Sequence, residues 1–137
     1  MSKQAVVIDT NLLFSALIPK ASKIRDVLFE GHLICYAPNF LITEIYRHKE
    51  KLIKQSKLSE PEFYSLFNNL IECVHFVPLE FFSIEAKQAA YNLCHDVDIK
   101  DTPFIALAIA LDIPIWTGDK KLKDGLSAKG FSSFYRP

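Results

Sequence analysis

Four carboxylates in this chain could do chemistry together: Asp9 in VVIDTN, Glu44 in FLITEIYR, Asp101 in IKDTPF and Asp119 in WTGDKK. They lie far apart in the sequence, so only a fold can collect them. Four acids in one place repel one another, several of their pKa values rise, and the cluster calls for a cation. A donor set of oxygens alone, without His or Cys, suits Mg2+ or Mn2+. Such ions activate water and clamp a phosphodiester for hydrolysis.

Each acid also has a plainer reading. Asp9 caps the helix after it, or shares that work with Asn11. Asp101 caps the helix that begins at Thr102-Pro103. Asp119 belongs to a Gly-Asp turn. Glu44 is a polar residue on a helix flank. What sets the four apart is their common position relative to the strands.

The elements that must position them are legible in the pattern of apolar residues. Ala5–Ile8 reads as a strand, and Thr10–Ile18 as a short helix stopped by Pro19. Ser22–Glu30 reads as a helix ended by Gly31, and Leu33–Ala37 as a second strand. Asn39 is positioned to cap a long helix reaching Ser56, with Leu41, Ile42, Ile45, Leu52 and Ile53 as its apolar stripe and Glu44 at the stripe's edge. Ser59-Glu60-Pro61-Glu62 is a capping box opening a helix to Glu72. Val74–Pro78 is a third strand, and Ser83 caps a helix to Cys94. Phe104–Leu111 is apolar nearly all round, as a buried helix is. Ile113–Thr117 is a fourth strand, Lys120–Ala128 a short helix, and Phe131–Tyr135 a weak last strand.

Alternating strands and helices imply an α/β fold in three layers, α/β/α, with a mainly parallel sheet of about five strands. In such sheets ligands bind beyond the carboxyl ends of the strands. Asp9 and Asp119 sit there directly. Asp101 starts the helix that feeds the fourth strand, and Glu44 lies one turn into the helix after the second. Asp9 thus ends a buried strand because the strand is a rigid post for it.

The 137 residues are expected to form one domain, 1–137, with no repeat or linker. At 50% hydrophobic and 23% charged the chain is globular in composition. No apolar run is long enough for a membrane span, and MSKQ leads straight into a strand, so a cytoplasmic protein is expected. Cys35, Cys73 and Cys94 form no CxxC and read as reduced thiols. His32, His48, His75 and His95 form no paired metal-binding spacing and read as structural.

The matching segments VVIDTN, FLITEIYR, DTPFIALAIAL and IWTGDKKL, in this order and spacing over the whole chain, resemble the PIN-domain family. That resemblance implies a Mg2+- or Mn2+-dependent nuclease with an acidic pocket, and RNA as its substrate. It marks Asp9, Glu44, Asp101 and Asp119 as the metal-binding acids. Thr10 and Asn11 match the polar pair after the first acid, and Thr117 the hydroxyl residue two before the last. Asp98 is the second choice beside Asp101 in HDVDIKDTPF, and Asp124 an outlying candidate whose plainer reading is solvated surface. The family also implies a homodimer and, for many members, the toxin of a toxin–antitoxin pair with an antitoxin-like inhibitor protein.

The chain carries 16 basic and 16 acidic residues, so bulk charge does not draw it to nucleic acid. Setting the four acids aside leaves 16 basic against 12 acidic side chains. Lys120, Lys121 and Lys123, beside Asp119, are the candidates for RNA phosphates. Arg47, Lys49, Lys51, Lys54 and Lys57 read rather as a solvated helix face. Phe63, Leu66, Phe67 and Leu70 form an apolar helix face expected to meet a second copy. A receiver domain would need paired acids after the first strand and an Asp after the third, where this chain has VPLE. A haloacid-dehalogenase-type phosphatase would need a second acid after Asp9, where this chain has Asn11. A PIN-like scaffold without catalysis, binding RNA or protein, is the alternative that keeps the fold.

Overall fold

In the computed structural model, which describes residues 3–18 and 22–137, four parallel strands form the central sheet. They are β1 (Gln4–Ile8), β2 (Leu33–Pro38), β3 (Val74–Val77) and β4 (Ile115–Trp116), in the order β3-β2-β1-β4. Val6, Val7 and Ile8 of β1 are all fully buried. Consecutive strand side chains point to opposite faces, so helices cover both sides of this strand.

The helices are α1 (Thr10–Ser15), α2 (Ser22–Glu30), α3 (Phe40–Arg47), α4 (Lys49–Ser56), α5 (Glu60–Ile71), α6 (Ile84–Cys94), α7 (Thr102–Leu111) and α8 (Lys120–Ser127). Helix α7 packs on α6, β1 and β2 and buries Phe104, Ile105, Ala106, Leu107 and Ala108 in succession. That is the environment its all-round apolar sequence demands. The Ser59–Glu62 capping box forms in full, and Ser83 Oγ accepts from Ala86 N at 3.0 Å. Gly31, at φ 73°, ends α2 where a side chain would be strained. Pro19, read as the stop of the first helix, lies outside the described residues. Among the described residues no helix is long and apolar enough to cross a membrane.

Four details differ from the sequence reading. The long third helix bends at His48, whose φ of −106° and ψ of 12° leave the helical region. Hydrogen bonds continue on either side, from His48 N to Glu44 O and from Leu52 N to His48 O. The apolar stripe keeps its phase through the bend, so periodicity cannot locate it. Asn39 makes no side-chain cap, because its own backbone is already helical at φ −55° and its N–H is taken by Val77 O. The apolar face of α5 points inward, with Phe63 and Leu70 each 1% exposed and Leu66 and Phe67 half-buried against the core, so most of it is covered within the chain rather than left open. The last strand contracts to a single bridge between Ile115 and Phe134, since β4 offers only two residues to pair with.

Candidate metal centre

Strand register decides the first part of the site. Parallel pairing matches Val7 with Ile115 and Ile8 with Trp116. The next residues beyond the strands' carboxyl ends are therefore Asp9 and Thr117, side by side. Asp9 N donates to Trp116 O at 3.3 Å, and the Thr117 hydroxyl donates to Asp9 Oδ2 in a short hydrogen bond. Asp119 N in turn donates to Thr117 Oγ1 at 3.1 Å. Thr117, 2% exposed, thus fixes the spacing between the chain segments that carry Asp9 and Asp119. The strand order turns at β1, with β2 on one side and β4 on the other, and such a switch point opens a crevice.

The plainer capping reading of Asp9 is also correct, and Asp119, read as part of a turn, caps α8 as well. Asp9 Oδ1 accepts from Leu12 N at 2.9 Å, and Asp119 Oδ1 from Leu122 N at 3.1 Å. Each cap occupies one oxygen and holds the carboxylate rigid, so capping and metal binding are compatible. Asp101 differs: no N–H of α7 reaches its side chain.

The segment before α7 folds into a short 3-10 turn over Ile99–Asp101. That turn swings Asp98 and Asp101, three residues apart, to the same side. Helix α8 closes on them because Gly125 carries no side chain: a Cβ there would lie 2.8 Å from Val97 Cγ1. Lys129, just past α8, ties the same corner down by donating to the carbonyls of Asn92 and Leu93 and to Asp96.

The result is a trio. Asp98, Asp101 and Asp119 each offer a carboxylate oxygen, and these atoms all lie within 4.8 Å of one another. Hard divalent ions take oxygen ligands at about 2.0–2.6 Å, which requires oxygens at this mutual spacing. The donor chemistry and the spacing both fit Mg2+ or Mn2+. Burial first, then the charges of Asp98, Asp9 and Asp119, push the Asp101 carboxyl up from its ordinary 3.8 to about 7. Burial also raises Asp9, opposed by its hydrogen bonds to Thr117 and Leu12. Protons and cation therefore compete for the same oxygens. Affinity for Mn2+, followed by calorimetry, is expected to rise about tenfold per pH unit below neutrality and to level off above pH 7 as Asp101 loses its proton. A flat profile between pH 5.5 and 8 would remove Asp101 from the ligand set.

Glu44 stands apart from the trio. It is buried and lines one cleft of about 250 Å³ with Asp98, Asp101, Thr10 and Asn11. Its two oxygens face Arg47 Nη1 at 3.3 Å and His48 Nε2 at 3.5 Å, two and one positions before α4 begins. These partners lie at i+3 and i+4, a spacing readable in the sequence, and His48 joins the cleft rather than serving only the core. Phe14, Phe40 and Phe104 supply its apolar walls. Lys123 lies close enough to lower the Asp9 pKa, whereas Lys120 and Lys121 line a different cleft with Asp96 and Asp124. Asp124 is outside the trio. Cys35 and Cys94 are buried free thiols, both pushed up to about 12 by burial.

No curated protein matches the chain. A family model described as PIN domain matches residues 7–133, from within β1 to beyond α8, and so takes in the trio, Asp9 and Glu44 together. With an acidic cluster at the carboxyl edge of a parallel sheet and that match across nearly its whole length, the chain belongs to the PIN-domain family, whose members are generally metal-dependent nucleases.

Proposed function

We propose that the protein is an endoribonuclease that hydrolyses RNA phosphodiester bonds with Mg2+ or Mn2+, in the toxin role that its family resemblance implies. The observation that carries the reading is the convergence of three carboxylates from two separate segments on one point, with Asp9 adjoining. Such a cluster is unfavourable by itself, and a cation relieves it. Asp98, Asp101 and Asp119 would hold the ion, with Asp9 adding charge beside them. A bound divalent ion supplies Lewis acidity to a phosphoryl oxygen and to water.

The chain's own groups do the remainder. Thr117 keeps Asp9 and the Asp119 segment in register through two hydrogen bonds. The caps on Leu12 and Leu122 prevent either carboxylate from rotating away. Phe40 and Phe104 limit water at the cleft, which strengthens electrostatic attraction inside it. Glu44 holds His48 at the cleft wall through the 3.5 Å contact of its Oε2 with His48 Nε2.

The test is cleavage of a mixed pool of structured RNAs by the purified protein in Mn2+, Mg2+ or EDTA, with Asp119→Asn purified identically. Cutting is expected with either ion, absent in EDTA and absent in the variant. Equal cutting by the variant would assign the activity to a contaminant. Manganese binding without cutting of any RNA would leave the non-catalytic scaffold as the function.

A further inference from the structure

We propose that the groove between α1 and α4 is a second nucleotide subsite, where the RNA strand continues past the acidic cleft with a backbone phosphate at Lys51 and a base against Phe14. This rests on the nuclease reading and adds the path of the substrate to it.

The groove has a volume of about 410 Å³ and shares Asn11, Phe14 and His48 with the acidic cleft. The two are therefore adjacent, with those residues at the junction. A volume of this size is within the range of about 300–1,000 Å³ typical of small-ligand sites. Chemistry changes sharply across the junction. One side carries Glu44, Asp98 and Asp101, three carboxylates against the single lysine Lys100. Among its described residues the other carries no carboxylate, and offers Lys51, the amides Asn11 and Gln55, and the apolar Phe14 and Leu52.

A polyanion cut at an acidic centre must leave that centre over a surface that does not repel it. Two clefts near the trio are candidates. The one at α8 mixes Lys120 and Lys121 with Asp96 and Asp124, so its charges cancel. The groove at α4 carries a lysine with no acid among its described lining residues, and it alone of the two shares residues with the acidic cleft. Phe14 sits at the junction with its ring edge-on to His48, at 5.8 Å between centroids. A half-buried aromatic beside a cationic side chain is the pairing that single-stranded nucleic acid recognition uses, one for the base and one for the phosphate. Asn11 and Gln55 supply donors and acceptors for a base edge.

Lys54 provides the control, because it lies on the exposed side of the same helix and outside the groove. A fluorescein-labelled single-stranded RNA of randomised sequence serves as the probe, cut in Mn2+. Lys51→Glu is expected to raise KM about tenfold with kcat changed less than about twofold, and to leave Mn2+ affinity unchanged. Lys54→Glu is expected to change KM less than about twofold. Phe14→Leu, which keeps the apolar bulk and loses the ring, is expected to raise KM about fivefold. Equal effects of the two lysine changes would mean bulk charge and overturn the subsite. An unchanged KM in Lys51→Glu would overturn it too and give the groove to a different occupant, such as an inhibitor peptide. If the wild-type protein cuts no RNA, the nuclease reading fails, and the subsite fails with it. Cutting that is indifferent to Lys51 sinks the subsite alone.

Discussion

With Asp101 changed to Asn, the protein is expected to melt at a higher temperature in EDTA and to lose metal-dependent cleavage by about a hundredfold or more. The two effects have opposite signs for one reason. Asp101 is held near a pKa of about 7 by burial and by three neighbouring acids. An acid whose folded pKa lies above its unfolded value resists ionisation in the folded state. Below the unfolded value of about 3.8 both states are neutral and nothing is lost. Between 3.8 and about 7 the unfolded chain releases its proton first, so stability falls as pH rises, and above 7 the full penalty remains. Asn keeps the shape and removes the charge. Its Tm at pH 8 in EDTA should exceed wild type by about 3 °C, and the gap should narrow as pH falls towards 4. Saturating Mn2+ should reverse the order, because an ion that binds only the folded wild type raises its Tm and leaves the variant behind. A variant that melts lower than wild type in EDTA would mean that Asp101 is not under repulsion, and the cluster would need no cation.

The location of the site was legible because two simple regularities coincide. Val6–Ile8 is a run of β-branched residues that ends on an acid, and IWTGD repeats the pattern at the fourth strand. Parallel pairing of these two strands then leaves no freedom over where Asp9 and Thr117 lie. The composition of the tight trio was less legible. Asp98 joins it, because a 3-10 turn of three residues decides which way the two acids of DIKD face, and Asp9 lies beside it. Nothing in residue type distinguishes that turn from a first helical turn. The bend at His48 was hidden for a related reason: Leu41, Ile45 and Leu52 share one face whether or not the helix is interrupted between them. The inward turn of the α5 face was hidden because periodicity shows that a helix has an apolar side, and only the neighbouring elements show what covers it. Glu44 was found at the stripe's edge, but its pairing with Arg47 and His48 depends on rotamers that a helical wheel does not contain.

Phe104→Ala is expected to cost about 3–5 kcal/mol of folding free energy, the usual range for deleting a buried aromatic ring. Phe104 is 2% exposed on a helix that contacts β1 and β2, and Phe40 meets it edge-on at 6.5 Å between centroids. Leu107→Ala, one turn further along α7 at 0% exposed, should cost a comparable 2–5 kcal/mol. Urea unfolding measures both. The pair separates packing from the site, because Phe104 also forms a wall of the acidic cleft and Leu107 does not. Removing that wall admits water beside Asp101, whose raised pKa has burial as its largest cause. The pH at which Mn2+ affinity levels off should therefore move down in Phe104→Ala and stay near 7 in Leu107→Ala. If both variants keep the wild-type midpoint, the neighbouring acids rather than the apolar wall hold Asp101 up. If both shift alike, α7 as a whole has loosened. Only a shift confined to Phe104 ties the core of this fold to the affinity of its metal centre.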